Sequence, residues 1–129
     1  ICANMAGVAF SIAGCATMHA LSFPLGANCQ LAHGEAVYAV FAQTLQYYQK
    51  KNIPLYKLEN ALKDLPADIS SVSGLQKLLS EIYPCPDFKA LGICDTWAVS
   101  VYEKQQRLLV NSPCVLNSND LAAIYKSCI

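Results

Sequence analysis

Two side chains in this sequence can both ligate a metal ion and exchange a proton near neutral pH, His19 and His33, its only histidines. Imidazole nitrogen suits Zn²⁺ or Fe²⁺, and two helix-borne imidazoles make half of a three- or four-ligand site. The competing reading is a pair of hydrogen-bonded core residues, which is commoner for an isolated buried histidine. Spacing does not decide between them, because no Asp or Glu near either histidine completes a metal shell. Glu35, two residues beyond His33, also has two readings. It can accept a hydrogen bond from the second nitrogen of a ligating imidazole, or it is a first-turn glutamate favoured by the helix dipole. Neither histidine has a nucleophile beside it in sequence, so no catalytic triad is legible and no catalytic side chain is assigned.

The elements that must position these rings read as helices. Residues 2–21 are rich in small residues: Ala6, Gly7, Ala13, Gly14 and Ala20 allow close helix approach. The expectation is one helix buried on all sides, with His19 near its C-terminal end. Ser22 to Asn28, containing Pro24 and Gly26, reads as a turn that folds the next helix back, so that both imidazoles face one cavity. Glu35 to Gln49 has helical periodicity, with Tyr38, Phe41, Leu45 and Tyr48 on one stripe. Leu55 to Leu65 follows, with Leu58, Leu62 and Leu65 on one face and Pro66 as its stop. Ser71 or Ser73 is positioned to cap a helix carrying Leu75, Leu78, Leu79 and Ile82, ended by Pro84 and Pro86. Asp95 reads as the N-cap of a helix over 96–110 lined by Trp97, Val101 and Leu108, which Asn111 and Pro113 terminate. Ser118 opens a last helix with Leu121, Ile124 and Tyr125 as its stripe. Alternation of apolar and polar residues is nowhere sustained. The fold class expected is all-α, a helical bundle of five or six helices in one domain, residues 1–129.

Composition narrows the function classes. The chain has 129 residues, 14% of them charged, with nine basic and nine acidic side chains and zero net charge. A neutral balance argues against a nucleic-acid partner and against an anionic membrane surface. No Lys, Arg, Asp or Glu precedes Glu35, so a membrane helix or a signal peptide has to be weighed. The first needs about 20 strongly apolar residues, and here small and polar residues, His19 and Pro24 interrupt the run. The second needs a basic start. The seven cysteines are odd in number and widely spaced, with no Cys-x-x-Cys pair. They read as reduced, mostly core thiols of a cytoplasmic protein rather than as a disulfide framework or a zinc finger. No Gly-x-Gly-x-x-Gly follows a strand and no phosphate loop is present, so this segment alone is not expected to bind a dinucleotide strongly. The chain opens at Ile1 inside a helix-like segment, without Met or cap, and the expectation is that residues upstream are missing.

Four stretches together carry a resemblance. Ala6-Gly7-Val8-Ala9-Phe10-Ser11, Met18-His19-Ala20-Leu21, Pro24-Leu25-Gly26-Ala27 and His33-Gly34-Glu35-Ala36 resemble, in order and spacing, the second signature of the iron-containing alcohol dehydrogenases. The run Glu103 to Leu109 followed by Asn111 is similar to the 4-hydroxybutyrate dehydrogenase branch of that family. The resemblance implies a C-terminal helical metal-binding domain of the dehydroquinate synthase-like fold, incomplete at its start, with an N-terminal nucleotide-binding domain outside this chain. It implies His19 and His33 as two of four ligands to Fe²⁺ or Zn²⁺, the others lying before Ile1. It further implies NAD as cofactor and hydride transfer between NAD and a short-chain primary alcohol or hydroxy acid, 4-hydroxybutyrate/succinate semialdehyde being the expected pair. The metal serves as a Lewis acid at the substrate oxygen. A small-molecule alcohol or aldehyde is thus the expected partner, together with a possible homo-oligomer.

The sequence also departs from the family pattern. Phe23 stands four residues after His19, where many members carry a second histidine used in proton handling, so no acid or base role transfers here and the pocket should be drier. Gln30 stands where relatives often have His, and Cys29 replaces a common aromatic. Two alternatives remain at this point: a sugar-phosphate cyclase of the dehydroquinate synthase type, and a non-catalytic helical interaction domain whose histidines are core residues.

Overall fold

A computed structural model describes residues 1–84, 87 and 90–129. Among them are nine helices: α1 Cys2–Ala13, α2 Thr17–Cys29, α3 His33–Ala39, α4 Phe41–Lys50, α5 Tyr56–Leu62, α6 Val72–Ile82, α7 Trp97–Lys104, α8 Gln106–Leu109 and α9 Ser118–Lys126. No strand occurs among the described residues, and the all-helical class holds.

The small-residue segment is two helices rather than one. Gly14 adopts φ 69° and ψ −170°, a conformation that residues with a Cβ adopt only under strain. A Cβ there would also meet Asn111 Nδ2 at 3.0 Å, the same amide that donates to the Cys15 carbonyl at 2.9 Å. The chain therefore turns at this point, and α2 departs at 106° to α1. Burial on all sides is corrected with it. No residue of α1 is buried, and Met5, Val8, Phe10 and Ile12 are all more than half exposed.

The turn expected over Ser22 to Asn28 is helix. Pro24 sits inside α2, where it deletes one backbone hydrogen bond at a cost of about 3 kcal/mol. Packing offsets this. Ala20, Leu21 and Leu25 are fully buried, and each leucine contributes about 1.5–3 kcal/mol by leaving water. The reversal comes later, at Gln30, whose φ of 56° is left-handed.

Two other expected helices are also divided. Val40, at φ −99° and ψ 1°, separates α3 from α4, and Gln105, at φ −114° and ψ 23°, separates α7 from α8. The α5 helix stops at Leu62, before Leu65 and Pro66. Asp95 is not the N-cap of α7. Thr96 holds that position, while the Asp95 carboxylate pairs with Lys126 at 3.1 Å. Ser71 does cap α6, its Oγ accepting the Gly74 N–H at 3.1 Å. The expected roles of Pro86 as a helix stop and Cys85 as a core thiol lie outside the described residues.

Helix α2 is central. It packs on α3, α4, α7 and α8, while α9 lies against α4 and α7. Leu121, Ile124 and Tyr125 of α9 are fully buried. The Tyr125 hydroxyl donates to the Leu21 carbonyl at 2.7 Å, and its ring meets Trp97 edge-on. A buried polar group ties α2 to α4 and to the segment before α9: Tyr48 donates to Thr17 Oγ1 at 2.6 Å, and Ser112 Oγ lies 2.5 Å from the same atom. The cysteines are less buried than expected. Cys2 is exposed, Cys15, Cys29, Cys94 and Cys114 are half-buried, and Cys128 is buried; all six are free thiols. Among the described residues no single helix is long and apolar enough to cross a membrane; α1 and α2 pass such a test only as a bent pair.

Candidate metal centre

The break at Gly14 moves His19 from the end of a helix to the first turn of one, since α2 begins at Thr17. His33 is the first residue of α3. Left-handed Gln30 reverses the chain, α3 packs on α2, and the two imidazole centroids come to 5.1 Å with their planes at 52°. The expected convergence of the two rings is thus present, although Pro24 and Gly26 do not make the turn. His19 is half-buried and His33 exposed. Phe10 of α1 stands over His19 at a centroid distance of 6.2 Å.

Burial, and behind it the charge of His33, hold the His19 imidazole below its ordinary pKa. That favours the neutral ring, which is the ligating form. A tetrahedral cation about 2.1 Å from one nitrogen of each ring would set the ring centroids roughly 5 Å apart, so the observed separation suits a shared ion. Among the described residues no group of three or more His, Cys, Asp or Glu comes together. Within the described residues the pair alone offers a metal ion two nitrogen donors.

Of the two readings of Glu35, the structure shows the first-turn role. Its Oε2 accepts the Ala32 N–H at 3.1 Å, bracketing the start of α3, and its Oε1 accepts the Tyr83 hydroxyl at 2.6 Å. These bonds, that of Tyr83 first, hold the carboxyl below the usual glutamate range. Phe23 lies one turn beyond His19 on α2 and lines a cleft of about 340 Å³ between α2 and α7, with Pro24, Asn28, Trp97 and Lys104. Neither histidine lines this cleft. Cys29 donates to the Leu91 carbonyl at 3.3 Å, and Gln30 is exposed.

The contacts of Tyr83 with Glu35 and of Phe10 with His19 were not legible in the sequence. Tyr83 reaches Glu35 across 48 residues, a separation at which periodicity carries no signal. Phe10 lies close in sequence to His19, but its approach depends on the 106° bend.

Comparison with known proteins bears on the whole chain. The family described as "Fe-containing alcohol dehydrogenase family, C-terminal" matches over residues 1–129. The chain is 35% identical to 4-hydroxybutyrate dehydrogenase of Clostridium kluyveri over 132 aligned residues, covering 95% of this chain and 35% of that protein. It is 28% identical to Long-chain-alcohol dehydrogenase 1 of Geobacillus thermodenitrificans over 134, covering 95% of this chain and 34% of that protein. The chain thus spans about a third of the length of these curated relatives. No solved structure matches it. With its full length matched by that family's C-terminal region, the chain belongs to the iron-containing alcohol dehydrogenase family.

Proposed function

We propose that residues 1–129 are the helical metal-binding part of a longer, cytoplasmic, NAD-dependent dehydrogenase, and that His19 and His33 are two of the ligands of its Fe²⁺ or Zn²⁺. The observation that carries this reading is the facing pair of imidazoles, 5.1 Å apart on adjacent helices, within the four signature stretches. The remaining ligands and the nucleotide site are assigned to parts of the protein outside this chain. A divalent metal held there supplies Lewis acidity to a substrate oxygen. The part this chain plays is to hold two imidazoles in register and, through Phe10 over His19, to keep one side of the pair apolar. Hydride transfer is the chemistry of the nicotinamide.

For the substrate we propose 4-hydroxybutyrate and its aldehyde, succinate semialdehyde. This is supported by the 35% identity to a protein of that name over nearly the whole chain. A longer alkyl alcohol is the second reading, supported by the 28% identity to a protein named Long-chain-alcohol dehydrogenase 1 over nearly the whole chain. Membership of the alcohol dehydrogenase family decides against the sugar-phosphate cyclase alternative.

The test is NAD-linked oxidation by the full-length protein, across 4-hydroxybutyrate and a series of primary alcohols, comparing wild type with His33→Ala. Turnover of 4-hydroxybutyrate that the substitution abolishes supports the proposal. Preference for long alkyl alcohols selects the second reading. No NAD-linked turnover of any alcohol overturns it in favour of the non-catalytic reading, and turnover that survives His33→Ala overturns His33 as a required ligand.

A further inference from the structure

Nothing among the described residues hydrogen-bonds the His33 imidazole, so the position of that ring is set by its backbone, at the first residue of a seven-residue helix. Helix starts of this kind fray unless their free N–H groups are bound. Here the entry is fixed by a clamp that joins α3 to the end of α6. Glu35 holds the Ala32 N–H with one carboxylate oxygen and the Tyr83 hydroxyl with the other. Tyr83 is in turn fixed at the C-cap of α6, its N–H donating to the Leu79 carbonyl at 2.9 Å. One turn further along α3, Tyr38 donates to the Tyr83 carbonyl at 2.9 Å and meets its ring edge-on at 5.8 Å. Glu35 and Tyr38 thus grip Tyr83 by its hydroxyl, its ring and its backbone. The hydroxyl–carboxylate bond is the charge-assisted kind, short and directional.

We propose that Tyr83 and Glu35 are positioning residues for His33: the clamp anchors the first turn of α3 to α6 and so holds the His33 imidazole opposite His19 in the geometry that a shared cation requires. This rests on the reading of His19 and His33 as metal ligands. It adds a further element, α6, to the support of a site whose signature residues all lie on α1 to α3. Acting through backbone rather than on the ring, the clamp should affect how tightly and in what geometry a metal is held, more than whether the chain folds.

The probe is Co²⁺, loaded into the metal-free full-length protein, with affinity read by chelator competition and ligand geometry by the visible d–d spectrum. Tyr83→Phe keeps the ring and removes only the hydroxyl. It is expected to raise the Co²⁺ dissociation constant about three- to tenfold, the range one partly solvated hydrogen bond commands, and to shift the d–d bands. Glu35→Ala should do more, and Glu35→Gln, which still accepts the Ala32 N–H, should recover part of the loss. Wild-type affinity and spectrum in both Tyr83→Phe and Glu35→Ala would overturn the clamp while leaving the metal site standing, whatever happens to melting temperature. A wild-type protein that binds no Co²⁺, or binds it equally well as His33→Ala, would overturn the metal-site reading and the clamp with it.

Discussion

Helices α1 and α2 contain no Asp, Glu, Lys or Arg, and both are built from small and medium apolar residues. Yet none of the 12 residues of α1 is buried, while α2 buries Thr17, Ala20, Leu21, Ser22 and Leu25. Composition permits a helix to be buried, and neighbours decide whether it is. Helix α2 has α3, α4, α7 and α8 against it, and that packing sustains it through Pro24. Helix α1 meets the site through the Phe10 ring over His19.

Four substitutions probe this contrast, each read as unfolding free energy by denaturant titration of the 129-residue chain. The largest loss is expected where α9 closes over α2. Tyr125→Ala removes a fully buried ring together with its bond to Leu21 and should cost about 3–5 kcal/mol, a large share of the roughly 5–15 kcal/mol typical of a domain. A cost below 1 kcal/mol would mean that α9 does not seal α2.

Next is the junction between the two helices. Gly14→Ala places a Cβ at φ 69° and against Asn111, and should cost about 1–3 kcal/mol. No cost would mean that the chain continues from α1 into α2 without this bend.

Asp120 tests α9 from its N-terminal end. Its carboxylate accepts the Asn117 N–H at 2.8 Å and the Tyr47 hydroxyl at 2.5 Å, and lies 4.0 Å from Lys51. Burial pushes its carboxyl up, but these three partners together outweigh it and hold the pKa below the ordinary aspartate value of 3.8. With the folded-state pKa depressed, the stabilisation is complete above that ordinary value and is lost as pH falls through the folded one. Asp120→Asn should therefore cost about 1 kcal/mol at pH 7, and progressively less below pH 3.8. A cost that grows on acidification would contradict this assignment.

The smallest effect belongs to α1. Phe10→Ala should change stability by less than about 0.5 kcal/mol, as at other exposed positions. A loss of several kcal/mol in the full-length protein, against none in this chain, would show that α1 is covered there by residues outside residues 1–129.

Legibility of the fold followed how local the determining forces were. The stripe Leu121, Ile124 and Tyr125 and the cap at Ser71 were readable because helical period and capping act within one or two turns. The breaks at Gly14, Val40 and Gln105 were not, because each depends on what the following helix packs against. Pro24 and Gly26 misled for the same reason, as a strong local turn signal was overridden by the burial of Leu21 and Leu25. The histidine pair was legible through its signature stretches, and the structure brings the two rings together by a reversal at Gln30 rather than at the expected turn. Its support by Tyr83 was not legible, since one hydrogen bond across 48 residues leaves no pattern in sequence.

Ligation of a metal by His19 and His33 is tested most directly by anomalous diffraction at the Zn edge from crystals of the full-length protein grown with Zn²⁺. One strong peak is expected about 2.0–2.2 Å from a ring nitrogen of both His19 and His33. A bound Zn²⁺ that neither histidine touches, or crystals with no peak beside this pair, would contradict it.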